Sequence, residues 1–332
     1  MNTEQIVLAS RPKGTPVIEN LRFEKTDLAE MQDDEVELEA THFSVDPYMR
    51  GRMNDAKSYI APFKLNEPLE GAGIAKVITS NAKDFKAGDM VTGSLPWRLR
   101  TILPVKGLRK ITASGVPITY HLDVLGMTGL TAYFGLMDIG KPKAGETVVV
   151  SGAAGAVGVV VGQIAKINGC RVIGIAGSDE KIQRLKDEFG FDEAINYKTT
   201  PDMKKAIAAL CPEGVDIYFD NVGGEISDAV ISNINFHARI PLCGQISLYN
   251  SKELPMGPRL QPMLLTRSVL MQGFIIFNYQ HRFPEGIEQL SKWVKEGKLK
   301  FTETIVKGFD QMPAAFLGLF KGENIGKMIV EV

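Results

Sequence analysis

A chain of 332 residues has room for about two domains of ordinary core size. Its 44% hydrophobic and 23% charged residues give the balance of a packed globular protein and exclude extended disorder. With 38 basic against 39 acidic residues the net charge is -1, so no global field draws the chain to nucleic acid or anionic lipid, and neither partner is expected.

Cys170, Cys211 and Cys243 lie far apart in a chain that needs no staples, which points to free thiols in a reducing compartment. The first residues, MNTEQIVLASRPKGTP, carry no apolar stretch behind a basic start. The longest apolar run, 148–162, is interrupted by glycine and falls short of the ~20 residues a membrane span requires. A soluble, cytoplasmic protein is expected.

Through residue 120 the chain is rich in Pro and Gly and in short alternating stretches such as VELEATHFSVDP and GAGIAKVIT, which predict strands joined by turns. From about Thr128 apolar β-branched runs alternate with segments of helical period, the rhythm of βαβ units in a parallel sheet. The expected strands are 147–150, 172–176, 194–197, 217–219, 240–242 and 271–277. Ile182, Leu185 and Phe189 mark one crossover helix, and Met203, Ile207 and Leu210 another. Thr200 before Pro201 predicts a capped helix start. A further helix is expected around 287–294, after which the mixed tail 301–332 returns to the first domain. The expected fold class is α/β, with a mainly β domain over 1–120, a doubly wound parallel-sheet domain over 121–296, and a return segment over 297–332.

The most specific chemical signal is VVVSGAAGAVG at 148–158, a buried strand running into glycines and then a helix. Gly155 and Gly158 occupy the last two positions of G-x-G-x-x-G; Ala153 stands at the first, with Gly152 just before it. Glycine lets the backbone approach a pyrophosphate, and the helix amino end offers unpaired N–H groups to the anion. Small residues chosen only for close helix-on-sheet packing are the alternative, but a second strand follows within about thirty residues, as a dinucleotide site requires.

That second strand, RVIGIAGSDEK, ends without the carboxylate that would accept from the ribose of NAD. Ser178 and Lys181 instead suit the extra phosphate of NADP, unless Ser178 only caps a helix and Lys181 is only solvated. The four histidines, His42, His121, His237 and His281, are scattered, with no HExxH, CxxC or G-x-S-x-G element, so no metal site is expected and nicotinamide is the expected hydride carrier.

Nine collinear strings span nearly the whole chain: SVDPYMRGRM (44–53), GMTGLTAYFGL (126–136), AAGAVG, GSDEK, NYKT (196–199), FDNVGGE (219–225), CGQIS (243–247), QGFII (272–276) and GENIGK (322–327). With them the chain resembles the zinc-independent medium-chain dehydrogenase/reductases of the leukotriene hydroxydehydrogenase, prostaglandin reductase and curcumin reductase group. The resemblance implies a GroES-like catalytic domain, a Rossmann domain, a homodimer with its contact near 274–277, and NADPH-dependent reduction of the carbon–carbon double bond of small, apolar α,β-unsaturated ketones or aldehydes. Zinc-dependent relatives carry a histidine in a GHE element; the matching position here is Leu69, in PLEG.

The resemblance also assigns residues. Ala154, Gly155, Ala156 and Val157 would meet the pyrophosphate, and Lys181 and Tyr197 the adenosine phosphate. Asn221 lies at a strand end. Cys243, Gly244, Ser247 and Tyr249 fall within a contact segment over 243–249, the backbone of Phe274 and Ile276 lies beside the carboxamide, and Asn324 completes the set.

Reducing an enone builds negative charge on the carbonyl oxygen, so the site needs O–H donors aimed there and a proton for the α-carbon. Tyr48, Tyr59 and Tyr249 are the candidate donors. Some relatives carry a further tyrosine before the QGF strand, where this chain has Thr266. Arg50 and Arg52 read as a solvated or structural pair, and Met256, Met263 and Met271 as an adaptable wall or as core. A quinone reductase on the same fold, or an NADPH-binding protein without turnover, stays open.

Overall fold

The computed structural model describes residues 2–112, 115–253 and 255–332. Two units divide them: Met1–Leu122 with Glu303–Val332, and Asp123–Thr302.

The first unit opens with β1 (Asn2–Leu8) and β2 (Leu21–Asp27), an antiparallel pair. β3 (Glu35–Ser44) shows why this half forms strands: Val36, Leu38 and Ala40 are buried while Glu35, Glu37 and Glu39 between them are only partly so, the signature of a sheet with one face on a core. A single helical turn, α1 (Met49–Arg52), follows. β4 (Glu70–Ser80), β5 (Met90–Pro96), β6 (Arg100–Pro104) and β7 (Arg109–Lys110) extend the sheet antiparallel.

In the second unit α2 (Met127–Phe134) runs on into a π-helical turn over Gly135–Gly140. The parallel sheet then comprises β8 (Thr147–Ser151), β9 (Arg171–Ala176), β10 (Glu193–Asn196), β11 (Val215–Phe219), β12 (Ile234–Leu242) and β13 (Leu270–Gly273), in spatial order β10-β9-β8-β11-β12-β13. Every residue of β8 is buried, as a central parallel strand covered on both faces demands. The crossovers are α3 (Ala156–Ile167), α4 (Asp179–Asp187), α5 (Met203–Leu210) and α6 (Gly224–Ile231). α7 (Gln261–Thr266) buries no residue, and α8 (Phe283–Lys295) closes the unit. Strand order reverses between β8 and β11, which puts the topological switch point there.

The chain then rejoins its first sheet. β14 (Glu303–Lys307) pairs parallel with β15 (Lys327–Glu331), which pairs antiparallel with β3, and α9 (Met312–Lys321) contributes Phe316 to a core shared with Phe43 and Trp97. The expected α/β architecture is observed.

Four local expectations are corrected. The helix after Thr200 is capped by Asp202, whose carboxylate accepts from Lys205 N at 3.0 Å, while Thr200 Oγ1 turns back to donate to Asn196 O at 2.8 Å. The strand expected over 271–277 ends at Gly273; β13 is an edge with one partner, and Ile276 begins a 3-10 helix. Phe189 lies beyond α4, buried by the turn through Gly190. Met256 is exposed, whereas Met263 and Met271 pack against the core of the parallel sheet.

Candidate functional site

The glycine bend follows directly from β8. Gly152 takes φ +58, a left-handed conformation that turns the chain out of the strand, and Gly155 N donates to Gly152 O at 3.0 Å. A Cβ on Gly158 would lie 2.7 Å from Ala153 Cα and 2.8 Å from Ala153 O, so only glycine lets α3 begin this close to the bend. Ala153 is fully buried, and its Cβ would stand 3.0 Å from a Cβ built on Gly174 of β9, so the missing loop glycine is matched by one on the neighbouring strand. Gly155 is the N-cap of α3 and no side chain caps that end. The first-turn amides of Ala156, Val157 and Gly158 thus carry the positive end of a twelve-residue helix, a donor set that fits a pyrophosphate.

At the carboxyl end of β9, Ala176, Gly177 and Ser178 bring no carboxylate. Ser178 caps α4, its Oγ accepting from Lys181 N at 3.3 Å, which leaves the hydroxyl hydrogen to donate outward. The Tyr197 ring covers Gly177: a Cβ there would come within 2.9 Å of it. Burial lowers the Lys181 ammonium pKa and the nearby charge of Lys198 lowers it further. Asp179 Oδ1 accepts from Asn196 Nδ2 at 2.7 Å. Asn196 and Lys198 stand in the NYKT string but receive no role from the sequence; their place in the turn after β10 was the available signal.

At the switch point the two sheet halves are tied by Asn221, whose Nδ2 donates to Ser151 O at 2.8 Å and whose N donates to Ser151 Oγ at 3.0 Å. Asp220, 1% exposed, organises the turn. One of its oxygens accepts from Ser151 Oγ (3.1 Å), Tyr218 OH (2.8 Å), Val222 N and Gly223 N (2.9 Å each); the other accepts from Gln245 Nε2 (3.1 Å) and Ser227 Oγ. Asp220 stands in the FDNVGGE string but receives no role from the sequence, which says nothing of its burial.

The segment 243–249 curls back over that turn. Cys243 N and Gly244 N donate to Asp220 O at 2.9 and 3.1 Å, and Ser247 Oγ donates to Val222 O at 2.6 Å. Tyr249 OH accepts from Gln245 N at 3.2 Å. Burial raises the Tyr249 pKa and pushes the Cys243 thiol up to about 12, so both are neutral groups. Phe274 sets its ring edge-on to Phe219 at 6.3 Å, a contact open only because Gly135 has no Cβ, and Ile276 is buried. Gly152, Asn221, Cys243, Gly244, Ser247 and Tyr249 are therefore gathered at the carboxyl ends of β8, β11 and β12. Thr266 Oγ1 donates to Pro262 O within α7.

Tyr48, Tyr59 and Asn324 belong to the first unit. Tyr48 precedes α1; burial, then the charge of Asp46, raises its pKa above the ordinary tyrosine value, and Tyr59 is near enough to add to the shift. Tyr59 is 55% exposed. Arg50 and Arg52 are buried, not solvated. Arg50 donates to Gly14 O and Asn54 Oδ1 at 2.8 Å each, whereas Arg52 reaches Glu70 at 2.7 Å and Ala61 O at 2.9 Å and stacks over Phe63. Behind them Lys327 Nζ pairs with Asp46 at 2.6 Å, both side chains almost wholly buried. Asn324 Nδ2 donates to Gly326 O at 2.7 Å. Leu69 is fully buried, and the described residues hold no group of three His, Cys, Asp or Glu side chains placed to bind a metal ion.

Two family models match the chain: one described as the N-terminal domain of oxidoreductase over residues 4–111, and one described as zinc-binding dehydrogenase over 156–292. The protein YfmJ of Bacillus subtilis (strain 168) is 57% identical over 99% of this chain and 97% of its own length. The NADPH-dependent curcumin reductase of Escherichia coli (strain K12) is 44% identical over 98% of this chain and 96% of its own. The crystal structure of CurA in complex with NADPH from Vibrio vulnificus superposes with a TM-score of 0.95 at 45% identity, covering 99% of both chains. The chain belongs to the NADP-dependent alkenal-reductase group of the medium-chain dehydrogenase/reductases.

Proposed function

We propose that this protein uses NADPH to reduce the carbon–carbon double bond of small, apolar α,β-unsaturated ketones and aldehydes. The observation that carries the proposal is the full-length match to an NADPH-dependent curcumin reductase, joined to a dinucleotide site whose β9 end lacks a carboxylate and offers Ser178 and Lys181.

When bound, NADPH would supply the hydride that the β-carbon of the enone accepts. The chain's own residues supply the rest. The α3 amino end and the Gly152 bend hold the diphosphate, and Lys181, Ser178 and Tyr197 take the adenosine phosphate. Asn221 and the 243–249 segment would hold the nicotinamide half, the backbone of Phe274 and Ile276 would take its carboxamide, and Asn324 would be a further contact. Charge then develops on the substrate carbonyl oxygen, and a neutral tyrosine O–H is a stronger partner for that oxyanion than for the starting carbonyl. Tyr48, Tyr59 and Tyr249 are the proposed donors. A raised pKa keeps Tyr48 and Tyr249 protonated, as the role requires.

Turnover of a simple enone, followed by loss of the reduced-nicotinamide absorbance and by deuterium delivered from labelled NADPH to the β-carbon, tests the proposal. Quinones turned over in preference to enones would assign the quinone-reductase alternative instead, and NADPH binding with no oxidation across a broad acceptor panel would leave a binding protein.

We further propose a homodimer joined at β13, a paired-on-one-side edge that begins at the exposed Leu270 and lies between the exposed Leu265 and Phe277. Sedimentation as a monomer at micromolar concentration would exclude it. No helix among the described residues is long and apolar enough to cross a membrane; with three unpaired cysteines, the cytoplasm is the proposed compartment.

A further inference from the structure

The turn after β10 is built around one side chain. Asn196 Oδ1 accepts from Lys198 N at 3.1 Å, its carbonyl oxygen accepts from Thr199 N at 3.2 Å and Thr200 Oγ1 at 2.8 Å, and its Nδ2 reaches across to Asp179 Oδ1 at 2.7 Å. This arrangement sets two charges at once. It fixes the backbone of Lys198, whose ammonium is exposed and acts electrostatically on Lys181. It also ties down Asp179, the acidic group nearest in sequence to the carboxyl end of β9, beside Ser178 and Lys181. Glu180 offsets part of the repulsion at Lys181, but burial and Lys198 still lower its pKa, and among the described residues Lys198 makes no ion pair, so an anion joining the two ammonium groups would be favoured.

We propose that Asn196 and Lys198 are specificity-determining residues for the cofactor: Lys198 supplies a second cation to the 2′-phosphate, and Asn196 holds the Asp179 carboxylate out of its way. The proposal rests on the NADPH assignment above. Lys198 acts by direct charge-assisted contact, and Asn196 is a positioning residue acting through Asp179.

The test is calorimetric binding of 2′,5′-ADP and of 5′-AMP to the full-length protein, which reads the phosphate without turnover. The wild type should favour 2′,5′-ADP, and Lys181→Ala should lose most of that preference. Lys198→Ala should lower the preference about tenfold, the lower end for a charged hydrogen bond because the side chain is exposed, and the loss should shrink as salt is raised. Asn196→Ala should lower it about threefold, the scale of one exposed charge interaction. Adding Asp179→Asn to Asn196→Ala should restore the preference, since that removes the freed negative charge; a turn that had merely loosened would not recover. If Lys181→Ala loses the preference while Lys198→Ala and Asn196→Ala keep it, or if Asp179→Asn fails to rescue, the proposal is overturned and the NADPH assignment stands. If the wild type shows no preference, or Lys181→Ala leaves it unchanged, the phosphate assignment itself fails and the proposal with it.

Discussion

An alanine at position 158 puts the phosphate bend to a quantitative test. The added Cβ would meet Ala153 Cα at 2.7 Å and Ala153 O at 2.8 Å, both backbone atoms of a residue with no exposure, so no side-chain rotation can relieve the clash. Either the bend or the amino end of α3 must move. Overpacking of this kind costs about 1–3 kcal/mol, and replacing glycine inside a helix returns about 0.5–1 kcal/mol, leaving a net loss of about 0–2.5 kcal/mol in urea unfolding. The effect on binding is larger. A displaced helix end forfeits at least one hydrogen bond to a charged phosphate, about 1.5–3 kcal/mol, or roughly 10- to 150-fold in the dissociation constant for NADPH. Gly155→Ala, whose Cβ would meet Gly152 O at 3.3 Å, should fall between Gly158→Ala and wild type. Gly51→Ala in α1, with nothing within 4 Å, should change stability by no more than about 0.5 kcal/mol. Wild-type NADPH affinity in a folded Gly158→Ala protein would refute the assignment of the bend to the diphosphate.

Lys327→Ala leaves Asp46 buried without its counter-charge, and urea unfolding should register a loss of about 3–5 kcal/mol. Tyr48→Phe should lower kcat about 100-fold or more while the NADPH dissociation constant stays unchanged, if Tyr48 is the proton donor. Because burial raises the Tyr48 pKa, its O–H persists above the ordinary value of about 10, and kcat should show no loss as pH rises toward that value. A kcat that falls between about pH 8 and pH 10 in the wild type but not in Tyr48→Phe would contradict the shift. Burial pushes Cys243 up to about 12 and Cys170 and Cys211 up to about 11, so iodoacetamide at about pH 8 should leave the native protein active and unlabelled over an hour.

The parallel sheet was legible because each of its strands is a short apolar run with a helical-period segment or a turn between, and four of the six lie within three residues of the expected bounds; β12 starts earlier, at Ile234, and β13 ends earlier, at Gly273. The first half of β12 escaped the sequence reading because its alternation is broken: Asn235 is partly buried, Phe236 and His237 are exposed in succession, and His237 takes φ +59. The false extension of β13 came from Phe274 to Phe277, where apolar residues serve burial of Phe274 and Ile276 in an irregular segment; apolarity marks burial, and only a pairing partner makes a strand. The Asp202 cap was hidden behind Thr200 and Pro201, a pair with the same chemistry two residues earlier. For Arg50 and Arg52 the sequence leaves a solvated and a structural reading open, and the structural one holds: the carbonyls of Gly14 and Ala61 that receive them come from elsewhere in the chain, where sequence alone does not place them.

The variant glycine loop shows how a motif position can change without losing its function. A glycine at the first position serves a tight turn next to the second strand of the sheet. Here Gly152 makes the turn one residue earlier with φ +58, and the space that Ala153 then fills is cleared on the far side by Gly174, midway along β9. The same displacement brings Gly152 against Asn221 and Val222, where an added Cβ would be 3.4 Å from each, so the bend leans on the switch-point turn that Asp220 holds together. The bend and the switch-point turn are therefore one packed unit, joined through Ser151, which donates its Oγ to Asp220 and accepts from Asn221 N. Residues that a motif search scores separately, at 151–158 and 219–225, thus hold one another in register. The diphosphate end and the nicotinamide end of the proposed site share that support, and a change to Ser151 or Asp220 should be felt at both.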